Sequence, residues 1–137
     1  VVVGPLEDDE VLSKAVDGAT CVINISGSFQ LVSSHRDSSY EYLNTLLVEK
    51  LIHLCHEYKV QRFLHVSCLG AREESDCSYL ASKSEGEALL RETELYWTVF
   101  RPSYMFGERF PFIEMLAPII TFKPFLAVVG SGLNHIQ

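Results

Sequence analysis

The sequence predicts an α/β fold with a doubly wound parallel sheet, and three observations lead there. Short apolar segments alternate with longer amphipathic ones along the whole chain. The segment 20–26, Thr-Cys-Val-Ile-Asn-Ile-Ser, is apolar on both faces, as expected of a strand covered on both sides by helices. The length, 137 residues, suits one domain.

The elements follow in order. Residues 1–3, Val-Val-Val, read as the end of a buried strand. Asp8 or Asp9 caps a short helix to about residue 16, with Leu12 and Val16 on one face and Gly18 at its stop. After the strand at 20–26 comes a polar loop to residue 39. A long helix is expected over 40–58, because Leu43, Leu47, Leu51, Leu54 and Cys55 fall at three- and four-residue steps. A third strand is expected over 60–67, a helix over 79–92 and a fourth strand over 96–101, closed by Pro102. A last helix over 112–121 would be bent by Pro118. The chain opens inside a strand and closes without a cap. This predicts a piece of one such domain, with the first βαβ unit and the C-terminal part outside 1–137.

Composition narrows the partners. Hydrophobic residues make up 47% and charged residues 21%, a globular balance that excludes a disordered tail or a rod. The net charge is −7, and no basic stripe appears, so nucleic acid is not an expected partner. No apolar run is free enough of charge and proline to span a bilayer; the nearest, 110–129, contains Glu114, Lys123 and three prolines. Any membrane association would be peripheral. Four cysteines lack Cys-x-x-Cys spacing, and His53 and His56 lack a third ligand, so no metal site is expected.

Sheets of this class bind ligands beyond the carboxyl ends of their strands. That singles out Pro5 and Leu6, then Ile25, Ser26 and Gly27, then Ser67, then Pro102, Ser103 and Met105. The sharpest motif is Tyr79-Leu80-Ala81-Ser82-Lys83. Its tyrosine and lysine lie one helical turn apart on one face. There the ammonium can favour the phenolate and also reach a ribose hydroxyl, which suits a proton donor beside a nicotinamide. Alone the spacing is weak, and a solvated pair would explain it equally well. Its place, just after a buried strand ending in Ser67, strengthens it. The dinucleotide fingerprint Gly-x-Gly-x-x-Gly is missing from this stretch.

Taken together, Cys21-Val-Ile-Asn-Ile-Ser-Gly27, Val60-Gln-Arg-Phe-Leu-His-Val-Ser67, the Tyr79/Lys83 motif and Phe100-Arg-Pro-Ser-Tyr-Met-Phe-Gly107 resemble the atypical short-chain dehydrogenase/reductase superfamily. Within it the chain is similar to the nucleotide-binding accessory subunits of respiratory complex I and their bacterial relatives. His65-Val-Ser-Cys-Leu-Gly-Ala71 and Gly107-Glu-Arg-Phe110 carry that likeness. The resemblance implies a Rossmann-like domain holding NADPH (alternatively NADH) as a largely structural cofactor. It also implies partner subunits of a respiratory complex and a place on the matrix side of the mitochondrial inner membrane. By the same resemblance, a working enzyme would use Tyr79 as general acid/base, Lys83 to tune it and grip the ribose, and Ser67 to orient a carbonyl. The superfamily's catalytic serine position falls on Leu69 in an ungapped match, which removes that hydroxyl and favours holding a cofactor over turnover. An active reductase or epimerase acting on a small carbonyl or sugar-nucleotide, and a scaffold with no cofactor, are the competing readings.

Overall fold

The computed structural model describes residues 1–27, 40–103 and 105. The chain divides into two compact units, residues 1–102 and 103–137, and every element below belongs to the first. The helix expected over 112–121 and the loop up to residue 39 lie outside the described residues.

Helix α1 spans Asp9–Val16, with the Asp8 carboxylate accepting the Glu10 and Val11 N–H groups. Strand β1 is Cys21–Asn24. The long helix resolves into a π-helical segment, Tyr42–Leu46, followed by α2, Leu47–Glu57. Strand β2 is Arg62–Val66, α3 is Ser78–Arg91 and β3 is Tyr96–Phe100. The three strands pair in parallel in the order β1-β2-β3. Register places Val22, Phe63 and Trp97 on one row, and Asn24, His65 and Val99 on the next row of the same face.

That face carries the core. Leu12 and Val16 of α1, Leu47, Val48, Leu51, Ile52 and Cys55 of α2, and Leu90 of α3 close over Phe63. Each such side chain contributes about 1.5–3 kcal/mol by leaving water. On the opposite face Ile23 and Phe100 are exposed, so the described helices supply one wound half of the fold.

Two expectations are corrected. Residues 1–3 form no strand and are exposed, because no described strand lies beside them to complete a ladder of backbone hydrogen bonds. The helix expected to run unbroken over 40–58 is π-helical at its start. Its tertiary neighbour explains the departure: a Cβ on Gly86 of α3 would fall 2.1 Å from the Asn44 carbonyl oxygen, so the two backbones touch there. Asn44 Nδ2 also donates to Ser82 Oγ (3.0 Å), and Thr45 Oγ1 donates to the Ser82 carbonyl (3.3 Å). π-segments of this kind often mark functional sites.

Candidate functional site

At the carboxyl end of the sheet the apolar core gives way to a polar layer. Asn24, Asn44, His65, Ser67, Ser82, Lys83 and Glu87 are all buried. Lys83 is the hub. It is 2% exposed, and its ammonium donates to the carbonyls of Ser26 (3.2 Å) and Val66 (3.1 Å). One helix side chain therefore gathers the exits of β1 and β2. Burial pulls its pKa below the usual lysine value, while Cys68 and Glu87 push it back up. An ammonium has three protons, and no described protein group takes the third.

Asn24 shapes the first exit. Its Oδ1 accepts the Ser26 N–H (3.0 Å) and the Ser26 hydroxyl, which presents the Ser26 carbonyl to Lys83. Gly27 follows with φ +154°, and a Cβ there would lie 2.9 Å from Lys83 Nζ and 3.5 Å from Asn44 Oδ1. Only glycine leaves this cradle open. Asn44 Oδ1, fully buried, has no hydrogen-bond partner among the described residues.

Tyr79 sits one turn before Lys83, half-buried, with its ring edge-on to Tyr40 at 5.4 Å. Its phenol lies close to the Cys68 thiol. Burial, and then Cys68, push the phenol up to about 12. The expected lowering by Lys83 is thus not found: burial dominates, and Cys68 pushes the phenol the same way. Burial likewise raises the Cys68 thiol.

His65 lies beneath, fully buried, accepting from Asn24 Nδ2 at Nδ1 (3.3 Å). Burial and the Lys83 charge lower its pKa to about 4, so it is neutral at physiological pH. One turn beyond Lys83, the buried Glu87 carboxylate takes a two-pronged grip from Arg101 (Nε to Oε1 2.8 Å, Nη2 to Oε2 2.6 Å) and a third bond from Arg91 (2.7 Å). Burial alone would raise this carboxyl, but the arginines outweigh it and hold it below its ordinary value.

Of the residues expected from sequence, Ser26 and Gly27 meet Lys83 at its ammonium, while Tyr79 lies one turn earlier on α3 against Tyr40. Ser67 is buried at the β2 exit, its N–H donating to the Phe100 carbonyl (2.8 Å). Leu69 is exposed and donates its N–H to the Pro102 carbonyl (2.8 Å). Pro5 and Leu6 are exposed ahead of α1, with the Leu6 carbonyl accepting from Tyr42 (3.1 Å). Ile25 is exposed. Ser103 and Met105 belong to the second unit. Sequence reasoning missed Asn24, Asn44, His65, Glu87 and Arg101. A polar residue inside an apolar strand or helix, and a carboxylate four residues after Lys83, were the available signals.

A profile described as NAD(P)H-binding matches residues 1–109. The chain belongs to the NAD(P)H-binding family. Among relatives of this NAD(P)H-binding chain is "NADH dehydrogenase [ubiquinone] 1 alpha subcomplex subunit 9, mitochondrial" of Dictyostelium discoideum, 31% identical over 121 residues, covering 88% of this chain and 33% of that protein. The protein of the same name from Rattus norvegicus is 31% identical over 132 residues, covering 95% and 33%. The chain thus spans about a third of the length of these relatives. In fold it resembles UDP-glucuronic acid 4-epimerase from Bacillus cereus in complex with NAD (TM-score 0.70, 19% identity, 96% of this chain and 48% of that one). It also resembles DesIV, a dTDP-glucose 4,6-dehydratase from Streptomyces venezuelae, with NAD bound (TM-score 0.72, 19% identity, 96% and 47%). The NAD(P)H-binding family's Rossmann-like architecture is therefore that of this chain.

Proposed function

We propose that the chain is the nucleotide-holding part of an accessory subunit of respiratory complex I, binding NADPH as a structural cofactor on the matrix side of the mitochondrial inner membrane. In this reading, residues 1–137 form part of one NAD(P)-binding domain, and the named complex I relatives supply the assembly. When bound, a nicotinamide dinucleotide supplies a transferable hydride. The open cradle at Gly27 and the unspent proton of the Lys83 ammonium fit a ribose hydroxyl there.

The observation that carries the non-catalytic reading is the state of Tyr79. A general acid works best with a pKa near the operating pH. Here burial, and then Cys68, hold the proton on the phenol. No serine or threonine hydroxyl stands at Leu69 to steady a carbonyl. The competing reading, an active reductase or epimerase, rests on the Tyr79/Lys83 pair and on Ser67.

The test uses the full-length protein. Nucleotide released on denaturation is identified by chromatography, and Tyr79→Phe is compared with wild type. Retained NADPH and unchanged respiration in the variant support the accessory role. A carbonyl-reducing activity lost in Tyr79→Phe would establish the enzyme instead. Protein carrying no nucleotide, and binding none when supplied, would leave only the scaffold.

A further inference from the structure

The three strand exits are held by one helix. Lys83 ties down the first two through the Ser26 and Val66 carbonyls. Glu87, one turn later on α3, ties down the third by gripping Arg101, the residue after β3 and before Pro102. The exits of β2 and β3 are also joined to each other, because Ser67 donates to the Phe100 carbonyl and Leu69 to the Pro102 carbonyl. Two side chains spaced four residues apart thus set the whole carboxyl edge of the sheet against the helix that carries Tyr79.

A purely structural role would not require this chemistry. The Glu87 side chain is 1% exposed, and a buried ion pair adds little stability over a well-packed apolar pair of the same volume. What a two-pronged arginine–carboxylate contact adds is direction, since both nitrogens must meet both oxygens in one plane. We infer that Glu87 is a positioning residue. Through Arg101 it fixes the β3 exit relative to Lys83, and so sets the edge on which a nicotinamide dinucleotide rests. The inference builds on the nucleotide-holding reading above.

The experiment takes the full-length protein with Glu87→Gln, which keeps the volume and removes the charge, and Arg101→Lys, which keeps the charge and removes the two-pronged geometry. Two quantities are measured: the dissociation constant for NADPH, and amide hydrogen exchange at single-residue resolution. Both variants should weaken NADPH binding tenfold or more. Both should speed exchange of the Leu69 amide at least tenfold while amides of α2 keep wild-type protection. The double variant should bind no more weakly than the worse single one, as expected of two residues acting as a unit. Wild-type affinity in a folded Glu87→Gln protein would overturn the inference, as would faster exchange spread evenly over the core. Should Glu87→Gln not fold, Arg101→Lys decides by the same criteria. If the wild type binds no NADPH, the nucleotide-holding reading fails by itself, and the Leu69 amide still reports whether Glu87 sets the β3 exit.

Discussion

The same two helices cover the same three strands at both ends of the first unit, yet the two ends are built from opposite materials. Toward the middle of the sheet, Val48, Leu51, Cys55 and Leu90 close over Phe63. At the carboxyl edge, Asn24, Asn44, His65, Ser82, Lys83 and Glu87 occupy equally buried positions. The first end gains free energy by excluding water. The second spends part of that gain on desolvating polar groups, and recovers it only where each group finds a partner. Asn44 Oδ1 and His65 Nε2 have none among the described residues. A fold that tolerates such atoms beside a buried ammonium draws its stability from the apolar end, and the proposed nucleotide site falls at the polar one.

The division can be tested from both sides. Phe63→Ala removes a fully buried ring and should cost roughly 3–5 kcal/mol in chemical denaturation. Molecules that remain folded should bind nicotinamide nucleotide as before. Lys83→Met should do the reverse, lowering nucleotide affinity tenfold or more while costing less stability than Phe63→Ala, roughly 1–3 kcal/mol, because the Ser26 and Val66 carbonyls lose their donor. Equal losses of stability in the two variants would erase the division.

Next in size is a pH effect. The His65 pKa is about 4 in the fold and about 6.5 in the unfolded chain. Between those values the unfolded state binds the extra proton. Stability should therefore fall as pH drops from about 6.5 toward 4, by as much as about 3 kcal/mol. Denaturation midpoints at pH 7, 6 and 5 measure it, and His65→Gln should flatten that part of the curve. A wild-type curve level across the window would mean that His65 takes up its proton as readily in the fold as in the unfolded chain.

Smaller effects sharpen the boundary. Gly86→Ala drives a methyl against the Asn44 carbonyl and should cost roughly 1–3 kcal/mol, with nucleotide affinity also reduced because the π-segment must shift. Asp8→Ala removes only the α1 cap. It should cost about 1 kcal/mol and leave nucleotide affinity unchanged in a binding titration.

The strands, the helices and the Tyr79/Lys83 spacing were legible in the sequence because each depends on local periodicity. For the three observed strands, expected and observed ends agree within two residues, and α1 is capped by Asp8 and stops before Gly18, at φ +72°, where the residue types put them. What periodicity could not reveal is any property that depends on a partner far along the chain. The strand expected at residues 1–3 failed because a strand is defined by its neighbour. The π-segment arises from Gly86, some forty residues away. The role of Glu87 depends on Arg101 across the helix–sheet interface.

Sequence alone determined which residues alternate, where helices begin, and that a tyrosine and a lysine share one helical face, since these follow from backbone geometry within a few residues. Tertiary structure alone decided that the lysine spends its protons on two strand-exit carbonyls, that the phenol holds its own proton against a cysteine, and that a carboxylate ties down the third strand. Charge and proton affinity are set by what lies within a few ångströms in space, and those neighbours come from distant parts of the chain.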